Sequence, residues 1–182
     1  TESEFREKYG ISDKKIILGV AFGFGERKGL DAFIELAKRL DRSKYQIVLV
    51  GTDENTDPIL PDNIISIHRT QNQAELAKIY TAADVLANPT REDNYPTVNM
   101  EALACGTPVV TFDTGGSPEI PNNTCGSVVA RDDIDAFEKE IIRVCDEAPF
   151  SKEACLKRAE DFDMYKKFKE YVKLYENSSY SR

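Results

Sequence analysis

The chain is poor in the residues that build many catalytic and metal sites: it has a single histidine, no tryptophan and four cysteines. One histidine excludes the two-histidine zinc motifs, and a Ser-His-Asp triad would have to use His68 itself. A lone histidine beside a predicted strand is more often structural. The cysteines lack a Cys-x-x-Cys pair, so neither a zinc ribbon nor a thioredoxin-type site is indicated. We expect reduced thiols.

Long apolar runs and excess positive charge are also missing. No apolar stretch approaches the ~20 residues that a membrane-spanning helix needs, and the first residues lack the basic-then-apolar order of a signal peptide. We therefore expect no transmembrane segment and a cytoplasmic location, at most peripheral at the inner face of the membrane in a full-length protein. The net charge of -8 disfavours nucleic acid as a partner. An anionic ligand would have to be held locally by a few cations.

What the sequence does contain is an alternation of apolar, strand-like runs with apolar residues at helical spacing, typical of a parallel α/β sheet. Because the strands are apolar throughout, helices should cover both faces of the sheet. The sequence therefore predicts a doubly wound, Rossmann-like parallel sheet of six strands, with ligands at the carboxyl ends of the strands near the switch point. The predicted strands are Lys15 to Phe22, Gln46 to Val50, Ile64 to Ile67, Asp84 to Ala87, Pro108 to Phe112 and Ser127 to Val129.

The pattern divides the chain into three parts. Residues 1–13 are predicted to form a leading helix and linker, residues 14–150 the Rossmann-like domain, and residues 151–182 C-terminal helices of the same domain. One interpretation of the last helix is that it packs on the core of this domain. Its apolar face is predicted to comprise Met164, Phe168, Tyr171, Val172 and Tyr175.

The segment REDNYPTVNMEALACGTPVV carries the strongest functional pattern. Asn94 is a good N-cap and Pro96 suits the first helical turn, so the amides of Thr97 and Val98 should lack intrahelical partners. Such a helix start attracts phosphate. Glu101 follows about one turn later, and its carboxylate can accept from two neighbouring hydroxyls of a ribose or pyranose. The segment therefore predicts contacts to both phosphate and sugar.

This segment resembles the donor-binding signature of retaining glycosyltransferases with the GT-B fold, family 4: Glu-x7-Glu followed by Ala-x-Ala-x-Gly-x-Pro-Val. Asp93 and Glu101 occupy the two acidic positions, although the first is Asp and has Glu92 beside it. In that family the first acid binds hydroxyls of the transferred sugar and the second binds the ribose. The resemblance implies these roles for Asp93 and Glu101, a nucleoside diphosphate sugar as donor, and neither a cofactor nor a divalent metal.

The loop from Gly23 to Gly29 follows the first strand and ends in Lys28-Gly29, which resembles the phosphate-binding Lys-Gly pair of the family. The resemblance implies that Lys28 binds the donor diphosphate. Glycines such as Gly23 permit close approach of the backbone to a ligand. Relatives often place an arginine six residues before this lysine, where this chain has Phe22, and Arg27 is a candidate replacement.

Two further turns resemble parts of the family's site. Asp113 to Ile120 contains the Gly-Gly-x-Pro-Glu pattern, for which a tight strand-to-helix turn capped by Ser117 is an equal alternative. Arg69 follows the third strand, where relatives contact the nucleobase. It could stack on a base or be an ordinary exposed arginine. Adjacent Glu92 and Asp93 do not suit a glycosidase pair, whose carboxyl groups are about 5 to 9 Å apart across the scissile bond.

The resemblance covers nearly the whole chain but only the carboxy-terminal half of such an enzyme. It implies a missing amino-terminal GT-B domain, an acceptor glycan or glycolipid, and a role in polysaccharide or glycolipid biosynthesis. In relatives the last helix crosses back to that other half. The chain alone should bind donor without transferring sugar. The alternatives are a non-catalytic nucleotide-binding or docking module and a dinucleotide-dependent oxidoreductase, whose fingerprint would require glycine where Lys28 stands.

Overall fold

The computed structural model describes residues 2–178, and within them all side chains except those of 2, 171 and 174–178. Its sheet has six parallel strands in the order β3-β2-β1-β4-β5-β6. This confirms the predicted doubly wound parallel sheet and puts the switch point between β1 and β4. The strands are β1 Lys15–Val20, β2 Tyr45–Val50, β3 Ile64–Ile67, β4 Val85–Asn88, β5 Val109–Phe112 and β6 Gly126–Val129.

Seven α-helices are described within residues 2–178, and both faces of the sheet are covered by helices. Phe33 and Phe137 belong to the cluster on one face, whereas Tyr80, Leu103 and Cys155 belong to the cluster on the other. Adjacent residues of one strand contribute to opposite clusters, as the two-residue period of a strand requires. The helices are α1 Glu2–Lys8, α2 Leu30–Arg39, α3 Gln73–Ala82, α4 Thr97–Ala104, α5 Ile134–Glu147, α6 Lys152–Ala159 and α7 Met164–Ser178.

The first strand is shorter than the sequence pattern predicts. It ends at Val20, and Phe22 is fully exposed. The amide of Ala21 still donates to the carbonyl of Val50 at 3.0 Å, but the chain then turns at Gly23, whose φ is +85°. Such a φ is strained for residues other than glycine. The turn therefore takes Phe22 out of the sheet and places it at the loop edge.

The last helix does not bury its predicted apolar face in this domain. Met164 is 70% exposed, Phe168 71% and Val172 42%, so packing on the domain's own core is wrong for these residues. The side chains of Tyr171 and Tyr175 lie outside the described residues. Within residues 2–178, no helix is both long and apolar enough to cross a membrane.

The thiols give a direct test of the packing. Cys125, Cys145 and Cys155 are buried free cysteines and Cys105 is half-buried, and burial raises the pKa of Cys145 and Cys155 to about 12. Because the thiolate is the reactive form, we expect Ellman's reagent at pH 8 to modify only Cys105 rapidly in the native chain. All four thiols should react in denaturant. Rapid modification of three or four thiols in the native state would contradict this packing.

Candidate functional site

A cleft opens where β1 and β4 end, at the switch point of the sheet. Its volume is about 390 Å³, within the range of small-molecule sites. The loop after β1 forms one wall, and the loop after β4 together with the start of α4 forms the other. The lining residues include Phe22, Phe24, Arg27, Lys28, Asn88, Asp93, Tyr95, Pro96, Thr97 and Val98.

A lysine and an aspartate meet in this cleft. Lys28 ends a short 3-10 helix and is followed by Gly29 with φ +73°. Its Nζ donates to Oδ2 of Asp93 at 2.5 Å, and the two side chains are 21% and 20% exposed. Oδ1 of Asp93 accepts from the amide of Tyr95 at 3.2 Å. The structure thus brings together two of the residues predicted for the site, one from each wall.

The start of α4 also faces the cleft, but its cap differs from the prediction. Pro96 is the N-cap, with φ -68° and ψ 110° and no capping side chain, so Asn94 as N-cap is wrong. The turn before Pro96 is closed instead by the side chain of Asp93, which leaves Asn94 outside the helix. Thr97 and Val98 are the first two helical residues and line the cleft. Their amides lack intrahelical acceptors, as at every helix start.

The second predicted acid, Glu101, lies on α4 one helical turn beyond the residues that line the cleft. It is exposed and is not among the described residues that line the cleft. It follows Thr97 by four positions, so both lie on one face of α4, about 6 Å apart along the axis. Its Oε2 accepts from the hydroxyl of Tyr80 at 2.9 Å. Burial, and then the charge of Glu101, raise the pKa of Tyr80, so at neutral pH this hydroxyl remains a donor that orients the carboxylate.

Sequence reasoning missed the role of Arg91, which joins the two walls. Its guanidinium makes two bonds of 2.7 Å to the carboxylate of Asp31 and donates to the carbonyl of Glu26 at 2.6 Å. The amide of Arg91 donates to the carbonyl of Arg27 at 2.9 Å. The side chain is 15% exposed, and its bonds to Asp31 lower the pKa of that carboxyl group. These contacts hold the loop that carries Lys28 against the loop that carries Asp93.

Gly115 and Gly116, which follow β5, lie against the backbone of the loop that carries Asp93. A Cβ atom on Gly115 or Gly116 would overlap the carbonyl oxygens of Asp93 and Asn94, respectively. The amide of Gly116 donates to the carbonyl of Asp93 at 3.3 Å. Gly116 is also the N-cap of the following 3-10 helix, Ser117–Glu119, so capping by Ser117 is wrong. The pair therefore fixes where the backbone of Asp93 lies.

A buried polar network, also missed from the sequence, connects β4, α4 and β5. Nδ2 of Asn88 donates to Oδ1 of Asn99 at 2.8 Å, and Nδ2 of Asn99 donates to Oγ of Ser117 at 3.1 Å. Thr111 shares a hydrogen bond of 2.9 Å with Ser117. Asn99 and Ser117 are both completely buried. A polar residue at position 99, on the turn before buried Ala102 and Leu103, is the only sequence signal for this network.

The other predicted residues are dispersed. Arg27 lines the cleft with an exposed side chain, whereas Gly23, Glu92 and Arg69 are exposed and outside the described lining. His68 pairs with Oδ2 of Asp57 at 2.6 Å, and Ser66 donates to Oδ1 of the same aspartate at 2.5 Å. The serine thus contacts the acid and not the imidazole, which is not the order of a catalytic triad.

Comparison with known proteins decides the family. The family model for glycosyl transferases group 1 matches residues 1–170 of the chain. The chain belongs to this family. Among the group 1 glycosyl transferases, it is 26% identical over 161 residues to the GDP-mannose-dependent monoacylated alpha-(1-6)-phosphatidylinositol monomannoside mannosyltransferase of Corynebacterium glutamicum, a match covering 80% of the chain and 42% of that enzyme.

A second relative is the D-inositol 3-phosphate glycosyltransferase of Segniliparus rotundus, 46% identical over 126 residues, or 62% of the chain and 28% of that enzyme. The chain therefore spans less than half the length of both curated relatives.

Solved structures support the same fold. Sucrose-phosphate synthase from Thermosynechococcus elongatus matches 99% of the chain with a TM-score of 0.80 and 23% identity, using 49% of that structure. Anabaena Alr3699/HepE in complex with UDP-glucose matches 87% of the chain with a TM-score of 0.73 and 16% identity, using 46% of that structure. At these identities the likeness is one of fold.

Proposed function

We propose that the chain is the donor-binding half of a retaining glycosyltransferase and binds a nucleoside diphosphate sugar in the cleft between β1 and β4. The observation that carries the proposal is the meeting of Lys28, Asp93 and the first turn of α4 in one cleft at the switch point. A diphosphate needs a cation and amide donors, and a sugar needs an acceptor for its hydroxyls. The mannosyltransferase of Corynebacterium glutamicum is named as GDP-mannose-dependent, and the structurally similar HepE was solved in complex with UDP-glucose.

Each group has a distinct role in this proposal. Lys28 and the amides of Thr97 and Val98 bind the diphosphate, Asp93 accepts from hydroxyls of the transferred sugar, and Glu101 accepts from the ribose. During transfer, the bond from the anomeric carbon to the diphosphate breaks while an acceptor hydroxyl attacks from the same face and passes its proton to the departing phosphate oxygen. Negative charge grows on the leaving phosphate, where the lysine and the amides stabilise it. None of these residues is assigned as a general base or nucleophile.

In this proposal the acceptor site belongs to an amino-terminal half of the enzyme, outside these 182 residues. The chain spans less than half of its curated relatives, and the apolar residues Met164, Phe168 and Val172 of α7 are exposed. We propose that this face of α7 docks on the amino-terminal half of the enzyme and that polysaccharide or glycolipid assembly is the process served. The 182-residue chain alone should bind donor and show no transfer of labelled sugar.

A binding panel tests the donor proposal. Thermal unfolding of the chain is measured with UDP, GDP, their glucose and mannose conjugates, and NAD. A ligand at 100 times its dissociation constant should add about 2.7 kcal/mol to the free energy of unfolding. Stabilisation by one nucleotide sugar supports the proposal. Stabilisation by NAD alone would instead support an oxidoreductase, and stabilisation by none of the ligands would support a docking module.

The ribose assignment predicts the effect of Glu101→Gln. A neutral amide oxygen can still accept from Tyr80, but it accepts more weakly than a carboxylate, so we expect nucleotide affinity to fall roughly tenfold, or about 1.4 kcal/mol. Calorimetry with the nucleotide that the panel selects measures the change. Glu147→Gln, an exposed glutamate at the end of α5, is the matched control. Unchanged affinity in Glu101→Gln would remove the ribose role.

A further inference from the structure

We propose that Asp93 is an internal competitor for Lys28, which makes the cleft prefer a nucleotide sugar over the nucleoside diphosphate that remains after transfer. The inference rests on the proposed function and adds a specificity-determining role to one of its residues. The starting observation is that the cation available to a diphosphate already has an anionic partner. The Lys28 Nζ to Asp93 Oδ2 distance is 2.5 Å, and both side chains are about four-fifths buried.

The carboxylate has little freedom to leave the cleft. The Asp93 carbonyl oxygen lies against Gly115, where any Cβ would overlap it. The same carbonyl accepts from the amide of Gly116, and Oδ1 accepts from the amide of Tyr95. Lys28 has a flexible four-carbon stem and can turn toward a new anion. When a diphosphate takes Lys28, therefore, the Asp93 carboxylate remains beside it.

The two ligands differ in what they offer this carboxylate. An ionised carboxylate can only accept hydrogen bonds. A nucleoside diphosphate brings phosphate charge and lacks the hydroxyls of the transferred sugar, so Asp93 loses its cation and faces a like charge. A nucleotide sugar brings hydroxyl donors that replace the bond lost from Lys28. The ion pair therefore lowers affinity for the diphosphate alone and leaves affinity for the sugar conjugate largely intact.

This preference also has a consequence for turnover. Once the sugar has moved to the acceptor, its hydroxyls no longer satisfy Asp93. The carboxylate then regains its attraction for Lys28 and competes with the diphosphate product. Asp93 would thus promote product release as well as donor selection, without contacting the reacting bond.

The test is the ratio of two dissociation constants in Asp93→Asn. Calorimetry is run with the pair that the panel selects, either UDP and UDP-glucose or GDP and GDP-mannose. Asparagine keeps an acceptor for the Tyr95 amide but carries no charge. We expect affinity for the nucleoside diphosphate to rise roughly tenfold and affinity for the nucleotide sugar to stay level or fall, which shifts the preference at least tenfold toward the diphosphate.

Three variants control the experiment. Asp93→Glu keeps the charge and should keep the wild-type preference. Glu26→Gln removes an exposed charge from the lysine loop outside the described lining and should change both affinities equally. Asp93→Ser provides a second neutral variant in case Asp93→Asn fails to fold. An unchanged ratio in the neutral variants would overturn this inference while leaving donor binding intact, whereas failure of the wild-type chain to bind either ligand would overturn the proposed function itself.

Discussion

Asn99→Ala is expected to lower the free energy of unfolding by about 2 to 5 kcal/mol, since it removes two buried hydrogen bonds and leaves a small cavity. Nδ2 of Asn88 and Oγ of Ser117 would each lose a partner. Asn99 and Ser117 have no exposed surface, so water cannot readily replace the bond lost at Ser117. Urea unfolding followed by circular dichroism measures the change.

A control and a double mutant make this prediction specific. Asn123→Ala, at an exposed position, should change the free energy of unfolding by no more than about 0.5 kcal/mol. In Asn88→Ala/Asn99→Ala, the donor and acceptor of one bond are removed together, so the double mutant should cost less than the sum of the single mutants by about 0.5 to 3 kcal/mol. Additive losses, or a loss in Asn99→Ala below that of the control, would contradict the network.

The network connects stability to the site. Asn99 is the third residue of α4, directly after Thr97 and Val98, and its partners lie on β4 and on the turn after β5. The angle at which the first turn of α4 meets the cleft is therefore set by hydrogen bonds inside the core. An apolar side chain at position 99 could also pack against β4 and β5, but it would lack the directional hydrogen bonds that orient the first turn of α4. This gives a reason for the burial of polar groups at the carboxyl ends of β4 and β5.

The fold was predictable because strands that are buried on both faces of a sheet form continuous apolar runs in the sequence. Strand segments such as Ile16 to Leu18 are apolar at every position and completely buried. Segments with apolar residues at helical spacing separate the strands. That order restricts a chain to very few parallel topologies. Strand ends were less predictable because Phe22 continues the apolar pattern of β1 although the turn at Gly23 places it in solvent.

The site was predictable only in part. Lys28 and Asp93 both follow strands that meet at the switch point, so a shared cleft could be expected, but their direct ion pair could not. The preference of asparagine for N-cap positions predicted Asn94 as the cap of α4. In the structure the side chain of Asp93 accepts from the amide of Tyr95, and Pro96 is the N-cap. The link from Tyr80 to Glu101 depends on how α3 packs beside α4, which spacing along the chain does not encode.

Lys28→Met is expected to weaken binding of a nucleoside diphosphate by about 10- to 150-fold, because a hydrogen bond to a charged group contributes about 1.5 to 3 kcal/mol. Binding of the corresponding nucleoside should change by less than about threefold, since it has no phosphate to contact. Methionine approximates the length of the lysine stem, so packing against the loop is largely kept. Calorimetry with UDP and uridine, or GDP and guanosine, measures both losses.

Asp93, the partner of Lys28, contributes to the loss of diphosphate affinity in Lys28→Met. In Lys28→Met the Asp93 carboxylate stays in the cleft without its cation, so part of the loss reflects its repulsion of phosphate. Lys28→Met/Asp93→Asn removes both charges and should recover some affinity for the diphosphate relative to Lys28→Met. Lys139→Met, an exposed lysine on α5, controls for the change in net charge. Equal losses for the diphosphate and the nucleoside in Lys28→Met would show that Lys28 does not touch phosphate, and would remove the cation on which donor binding in this cleft depends.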